Sequence, residues 1–161
     1  MQANISVPIE VRDLTEDDLD ALRWSGGRSH IAAVRQQLAR VPLGLADYLV
    51  ACAPSGLPVG KAGIEYSDDA GTIVQVAVHP AVQSCGVGTL LIAEAEARIR
   101  ARGVAHAELA VEHTNPRART LYERLGYVAC GEEPAEWDED QPDGSRARYR
   151  TMCTRMRKPV R

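Results

Sequence analysis

Apolar residues fall into short runs with two periods along the chain. Ile5 to Arg12 reads as a first strand, and Pro8, which cannot donate to a ladder, makes it an edge or irregular one. Thr15-Glu16-Asp17-Asp18 predicts a helix start, with Thr15 as cap and Asp18 three residues on, and the helix stops near Trp24-Ser25-Gly26-Gly27. Ile31, Val34 and Leu38 keep helical spacing within a second helix, Ser29 to Arg40. Asp47 to Ala53 and Pro58 to Tyr66 follow as strands around the turn Pro54-Ser55-Gly56. Thr72 to His79 is a third strand, and its mostly apolar run predicts burial on both faces. Gly88 to Arg102 is the strongest helix. It carries the stripe Leu91, Ala95 and Ile99, the pairs Glu94/Arg98 and Glu96/Arg100, and Gly103 at its C-terminal cap. His106 to Glu112 is a strand and Asn115 to Leu125 a helix ended by Gly126. Tyr127 to Cys130 and Arg148 to Met156 are the last strands, flanking a polar loop. Strands in a meander followed by helices between strands predict a mixed α/β, α+β-like domain over residues 1–161.

Composition fits one globular domain: 161 residues, 45% hydrophobic and 25% charged. There is no Phe, so Val, Leu, Ile and Ala must build the core. Nineteen basic residues against 22 acidic ones leave a net charge of −3, the wrong sign for a protein that coats nucleic acid. No stretch reaches the length of a membrane span, and Met1 to Ser6 has neither the basic start nor the apolar run of a signal peptide. The expectation is a cytoplasmic protein with no membrane or nucleic-acid partner, as a monomer or a homodimer. Cys52, Cys85, Cys130 and Cys153 show no metal-ligand spacing and read as buried free thiols, with no metal site expected.

The segment Gln75 to Leu90 is a strand, a short loop with two glycines, and then the strongest helix. A helix start exposes unpaired N–H groups and the positive end of its dipole, so this arrangement suits a phosphate or pyrophosphate. A P-loop requires Lys after its second Gly, and none is present. The dinucleotide fingerprint fits at Gly86 and Gly88 but meets Leu91 at its third place, with Glu108 as the nearest acid about 20 residues on. The pattern Gln/Arg-x-x-Gly-x-Gly/Ala is met in full by Gln83-Ser84-Cys85-Gly86-Val87-Gly88.

With that loop, and with Asn115-Pro116-Arg117-Ala118-Arg119-Thr120-Leu121-Tyr122-Glu123-Arg124-Leu125-Gly126-Tyr127, the sequence resembles the GNAT superfamily of N-acetyltransferases. The resemblance is sharp from Gly71 to Gly131 and topological outside it. The second block makes physical sense too, since Asn115 before Pro116 suits a helix N-cap. The resemblance implies a twisted, mixed but mostly antiparallel sheet of about seven strands with about four helices, and a splayed parallel pair forming the acetyl-CoA cleft. It also implies direct acetyl transfer from acetyl-CoA to an amine.

In such a site Val76, Ala77 and Val78 would meet the pantetheine and the acetyl carbonyl. The loop Gln83, Ser84, Cys85, Gly86, Val87, Gly88 and Thr89 would hold pyrophosphate, and Asn115 and Tyr122 would complete the cofactor site. Tyr122 matches the usual general acid, which returns a proton to the departing thiolate. The attacking amine must also lose a proton, and where several family members carry Glu this chain has Ala110. Glu112 lies two residues on, on the same strand face, and is the candidate base, directly or through water. Its other reading is a solvated strand-end carboxylate. His79, Glu65 and His113 are reserves, and Cys85 fills a variable loop position. The missing Glu also motivates an alternative: an acyl-CoA-binding sensor of the same fold with little catalysis.

On the acceptor side, Glu132 to Asp143 crowds seven acids around Trp137, and a basic tail from Arg146 to Arg161 follows. The acids are either a solvated loop that pairs with the tail or an anionic rim that recruits a cationic amine. Trp24 to His30 would form the opposite wall.

Overall fold

In the computed structural model, which describes residues 1–161, seven strands form one sheet in the order β1-β2-β3-β4-β5-β7-β6. They are β1 (Glu10–Asp13), β2 (Ala46–Cys52), β3 (Pro58–Tyr66), β4 (Ala70–Val78), β5 (His106–Glu112), β6 (Val128–Asp140) and β7 (Arg146–Pro159). The α-helices are α1 (Arg28–Leu38), α2 (Val87–Ala101) and α3 (Pro116–Arg124), with a 3-10 helix over Glu16–Ser25 and a 3-10 turn over Pro80–Val82. Only β4 and β5 run parallel; every other neighbouring pair is antiparallel. The mixed sheet with one parallel pair is the architecture that the family resemblance implied.

Alternation along β2 divides the core between the two faces of the sheet. Leu49 and Ala51 join Leu91, Ala95 and Ile99 of α2, the predicted stripe, all fully buried. Tyr48 and Val50 point the other way, toward Leu14, Leu19, Leu22 and Val34 beneath the 3-10 helix and α1. Tyr48, Tyr122 and Tyr127 supply the aromatic bulk that the missing Phe would have given. The start of the 3-10 helix is fixed by Asp18, which accepts from the Thr15 N–H at 2.8 Å and takes two hydrogen bonds from Arg12 at 2.7 and 2.8 Å.

Several expectations are corrected. The first strand begins only at Glu10, after Pro8, which removes a donor. The acidic stretch is not a loop. It is β6, hairpinned onto β7, where Glu136 pairs with Arg148 and Arg150 and Asp138 with Arg148 at 2.9–3.1 Å. Glu94 does pair with Arg98 at 3.0 Å, but Glu96 does not pair with Arg100. Glu96 lies on the buried side of α2 and accepts from Tyr127 Oη at 2.9 Å and Lys158 Nζ at 2.9 and 3.0 Å; Arg100 donates to the Val160 carbonyl. Of the four thiols only Cys52 and Cys153 are buried; Cys85 and Cys130 are exposed. The second half of β4 is only half-buried, because its parallel neighbour leaves it. No helix is long and apolar enough to cross a membrane.

Candidate active site

β4 and β5 pair only from Ala70 with His106 to Ile73 with Leu109. Past that point β4 bulges. Gly63 pairs with Val74 and Lys61 with Ala77, so Gln75 and Val76 stand opposite Ala62 alone. Gln75 adopts φ +53°, a left-handed conformation rare outside glycine and Asn/Asp. Where the strands part, a cleft of about 740 Å³ opens, with Val76, Ala77 and Val78 on one wall and Ala118, Leu121 and Tyr122 of α3 on the other.

The loop before α2 forms the end of this cleft. Ser84 (φ +61°) and Gly86 (φ +90°) are both left-handed, and Gly86 caps the N-terminus of α2, where unpaired N–H groups and the positive end of the helix dipole lie. Gln83 Nε2 donates to the Val78 carbonyl at 3.2 Å, so that carbonyl is engaged while Val76 and Ala77 line the cleft. Gln83, Ser84, Gly86, Val87, Gly88, Thr89, Asn115 and Tyr122 all line the cleft with the three β4 residues. Cys85 and Glu112 do not.

Two further residues that line the cleft carry no motif in the sequence. Arg117 donates to Gln83 Oε1 at 3.3 Å and to Ser84 Oγ, and Arg124 lies two turns further along α3. The one signal available for them is a pair of arginines seven residues apart on the helix facing the glycine loop. A cleft lined by the unpaired N–H end of α2 and by two guanidinium groups fits a phosphorylated, pantetheine-like ligand such as acetyl-CoA.

Tyr122 is the most buried residue of α3, at 8% exposed, and burial pushes its phenol up from the ordinary value, so it keeps its proton at neutral pH. Asn115 Oδ1 accepts from the Ala118 N–H at 3.1 Å, the expected N-cap, with Pro116 at the first helical position.

Glu112 ends β5 in a neighbouring cavity of about 280 Å³, which Asn115 shares with the cleft. Its Oε1 accepts from Tyr149 Oη at 2.8 Å, and the Tyr149 ring packs on Trp137 with centroids 4.8 Å apart. The reserve bases are occupied. Glu65 accepts from Gln37 and pairs with Arg40, and His113 pairs with Glu132, whose carboxyl that contact holds below the ordinary range. His79 Nδ1 accepts from the Ala81 N–H, and its ring stands edge-on to Trp24 at the cleft mouth, centroids 5.2 Å apart. Asp140, at the end of β6, accepts from the Ser29 N–H and Oγ at 2.8 and 2.9 Å and fastens the hairpin to the start of α1. The approach of that carboxylate to Gly27 leaves no room for a Cβ there.

A family model described as the acetyltransferase (GNAT) family matches residues 11–127. The chain is 31% identical over 105 residues to a streptothricin acetyltransferase of Streptomyces lavendulae, covering 64% of this chain and 56% of that relative. It thus spans little more than half the relative's length. Among solved structures, the ribosomal-protein-S18-alanine N-acetyltransferase of Escherichia coli shares the fold with a TM-score of 0.73 at 22% identity, covering 95% of this chain and 94% of that one. An N-acetyltransferase of Thermoplasma acidophilum in complex with coenzyme A does so with a TM-score of 0.69 at 18% identity, over 94% and 99%.

Proposed function

The chain belongs to the acetyltransferase (GNAT) family, and from that membership we propose that it transfers the acetyl group of acetyl-CoA directly to a primary amine on a small cationic molecule or peptide. The observation that carries the reading is the bulged β4 parting from β5 beside the left-handed loop at the start of α2. Acetyl-CoA would supply an activated thioester; the rest is work for this chain's own groups. The amides around Ser84 and Gly86, with Arg117, hold pyrophosphate. The Val76 N–H faces the acetyl carbonyl and stabilises the charge it gains when an amine attacks. Tyr122, kept protonated by burial, returns a proton to the departing thiolate. Glu112 draws a proton from the amine directly or through water, and the Tyr149 hydroxyl orients its carboxylate. No acyl-enzyme is needed, so Cys85 has no catalytic part.

A cationic acceptor is favoured by Glu112, Tyr149 and Trp137, which put a carboxylate beside two stacked rings on the sheet face opposite α2. Glu136 and Asp138 of β6 are instead paired with the arginines of β7. The reaction is assigned to the cytoplasm.

Ala110, in place of a base, favours a second reading, an acyl-CoA-binding sensor with little catalysis. Free-thiol release from acetyl-CoA across a panel of amines (polyamines, amino sugars, streptothricin, basic peptides) separates the two. Turnover on at least one amine is expected. Binding of CoA with no turnover on any, and no effect of Tyr122→Phe, would favour the sensor.

A further inference from the structure

The bulge in β4 is held from beneath by a buried amine. Lys61, on β3 opposite Ala77, is 0% exposed. Its Nζ donates to the Gln75 carbonyl at 2.7 Å and to Tyr48 Oη at 3.3 Å, and Tyr48 Oη donates to Gln75 Oε1 at 2.8 Å. Both the main chain and the side chain of the left-handed bulge residue are therefore gripped by a Lys–Tyr pair.

A fully buried lysine is rare, and one without a carboxylate partner rarer. The groups facing Lys61 are Tyr48 of β2, Gln75 of β4 and the His30 imidazole of α1. Burial lowers the Lys61 ammonium to about 7, and burial first, then the charge of Lys61, lowers His30 to about 4. A fold that needed only to fill this space would place a Leu or Met here at less cost.

Peptide geometry says what the amine does. In a trans peptide the carbonyl and the following N–H point in opposite directions. The Gln75 carbonyl points at Lys61 on the α1 side of the sheet, so the Val76 N–H points away from that side, and Val76 lines the cleft. We propose that Lys61 is a positioning residue for acyl transfer, which fixes the Gln75–Val76 peptide plane so that the Val76 N–H is presented to the thioester carbonyl. This rests on the acetyltransferase reading above.

The test is difference infrared spectroscopy of acetyl-CoA labelled with ¹³C at its thioester carbonyl, bound without acceptor, alongside calorimetric titration with CoA. In the wild-type protein the bound carbonyl band lies at lower wavenumber than in aprotic solvent, the mark of a hydrogen bond. In Lys61→Met that displacement is lost while CoA affinity is unchanged, and single-turnover acetyl transfer falls on the order of tenfold to a hundredfold. Lys61→Arg, which keeps a donor, restores part of the displacement. A wild-type measurement stands even if the variants fail to fold: a bound carbonyl band at its aprotic-solvent position would mean that no N–H meets the thioester carbonyl. A band unchanged by Lys61→Met, or a wild-type band without displacement, would overturn the proposal alone. A wild-type protein that bound neither CoA nor acetyl-CoA would overturn it together with the acetyltransferase reading.

Discussion

The phosphate loop offers a matched pair of substitutions, because the backbone requires glycine at only one of its two glycine positions. Gly86 sits at φ +90° with no atom within 4 Å of the place a Cβ would occupy, so alanine would meet no neighbour and only the backbone would object. An L-residue held left-handed costs about 1–2 kcal/mol. Gly88 lacks that constraint: a Cβ there would meet Leu121 Cδ2 at 3.5 Å and Val78 Cγ2 at 3.7 Å, ordinary contact. Gly86→Ala must therefore either keep the loop and lose stability or relax the loop and lose its amides. The first route lowers the melting temperature by about 2–8 °C, taking about 2–4 °C per kcal/mol for a chain of this size. The second weakens CoA binding about 5- to 30-fold. Thermal unfolding and calorimetric titration with CoA read both, and the two losses together should account for about 1–2 kcal/mol. Gly88→Ala should change neither. A Gly86→Ala protein that melts and binds CoA like the parent would refute the loop geometry, and so would Gly88→Ala proving the more damaging change.

Tyr122→Phe should lower acetyl transfer by about 10²-fold or more with CoA affinity unchanged, as loss of a general acid requires; equal turnover in parent and variant would remove Tyr122 from the chemistry. Glu96→Gln leaves Lys158 and Tyr127 around a neutral group, and should cost about 2–3 kcal/mol in denaturant unfolding, less than a fully buried pair because Lys158 is 27% exposed. A cost near zero would mean that Lys158 simply turns to solvent. Lys61 titrates at about 7 when folded against an ordinary 10.5, so between those values the unfolded chain holds a proton the folded protein has shed. Stability should therefore rise with pH from 7 to 10 in the parent relative to Lys61→Met, and parallel curves for the two proteins would contradict it.

The sheet, the order of its elements and the glycine loop were legible in the sequence, because each rests on local signals. Apolar runs bounded by turn residues mark β2 and β3, alternation marks β5, the stripe of Leu91, Ala95 and Ile99 marks α2, and Asn115-Pro116 marks the start of α3. What escaped was set by partners distant in sequence. Glu132 to Asp140 reads as a polar loop because its acids find their partners far along the chain, three of them on the arginines of β7, from 10 residues away for Asp138 with Arg148 to 22 for Glu133 with Arg155. Glu96 reads as half of a helical pair until Lys158 and Tyr127 reach it from other elements. Nothing local announces the bulge at Gln75, since a glutamine in a strand carries no sign that its carbonyl will turn toward a lysine on the neighbouring strand. Arg117 and Arg124 are visible as letters, yet only the placement of α3 beside the loop gives them a role.

The central claim is direct transfer from the β4–β5 cleft to an acceptor amine. Mass spectrometry of the reaction of this protein with acetyl-labelled acetyl-CoA and a reactive amine tests it most directly. The account predicts label on the amine nitrogen in step with thiol release and none on the protein at any time. Label accumulating on Cys85, or acetyl-CoA consumed only to acetate, would contradict it.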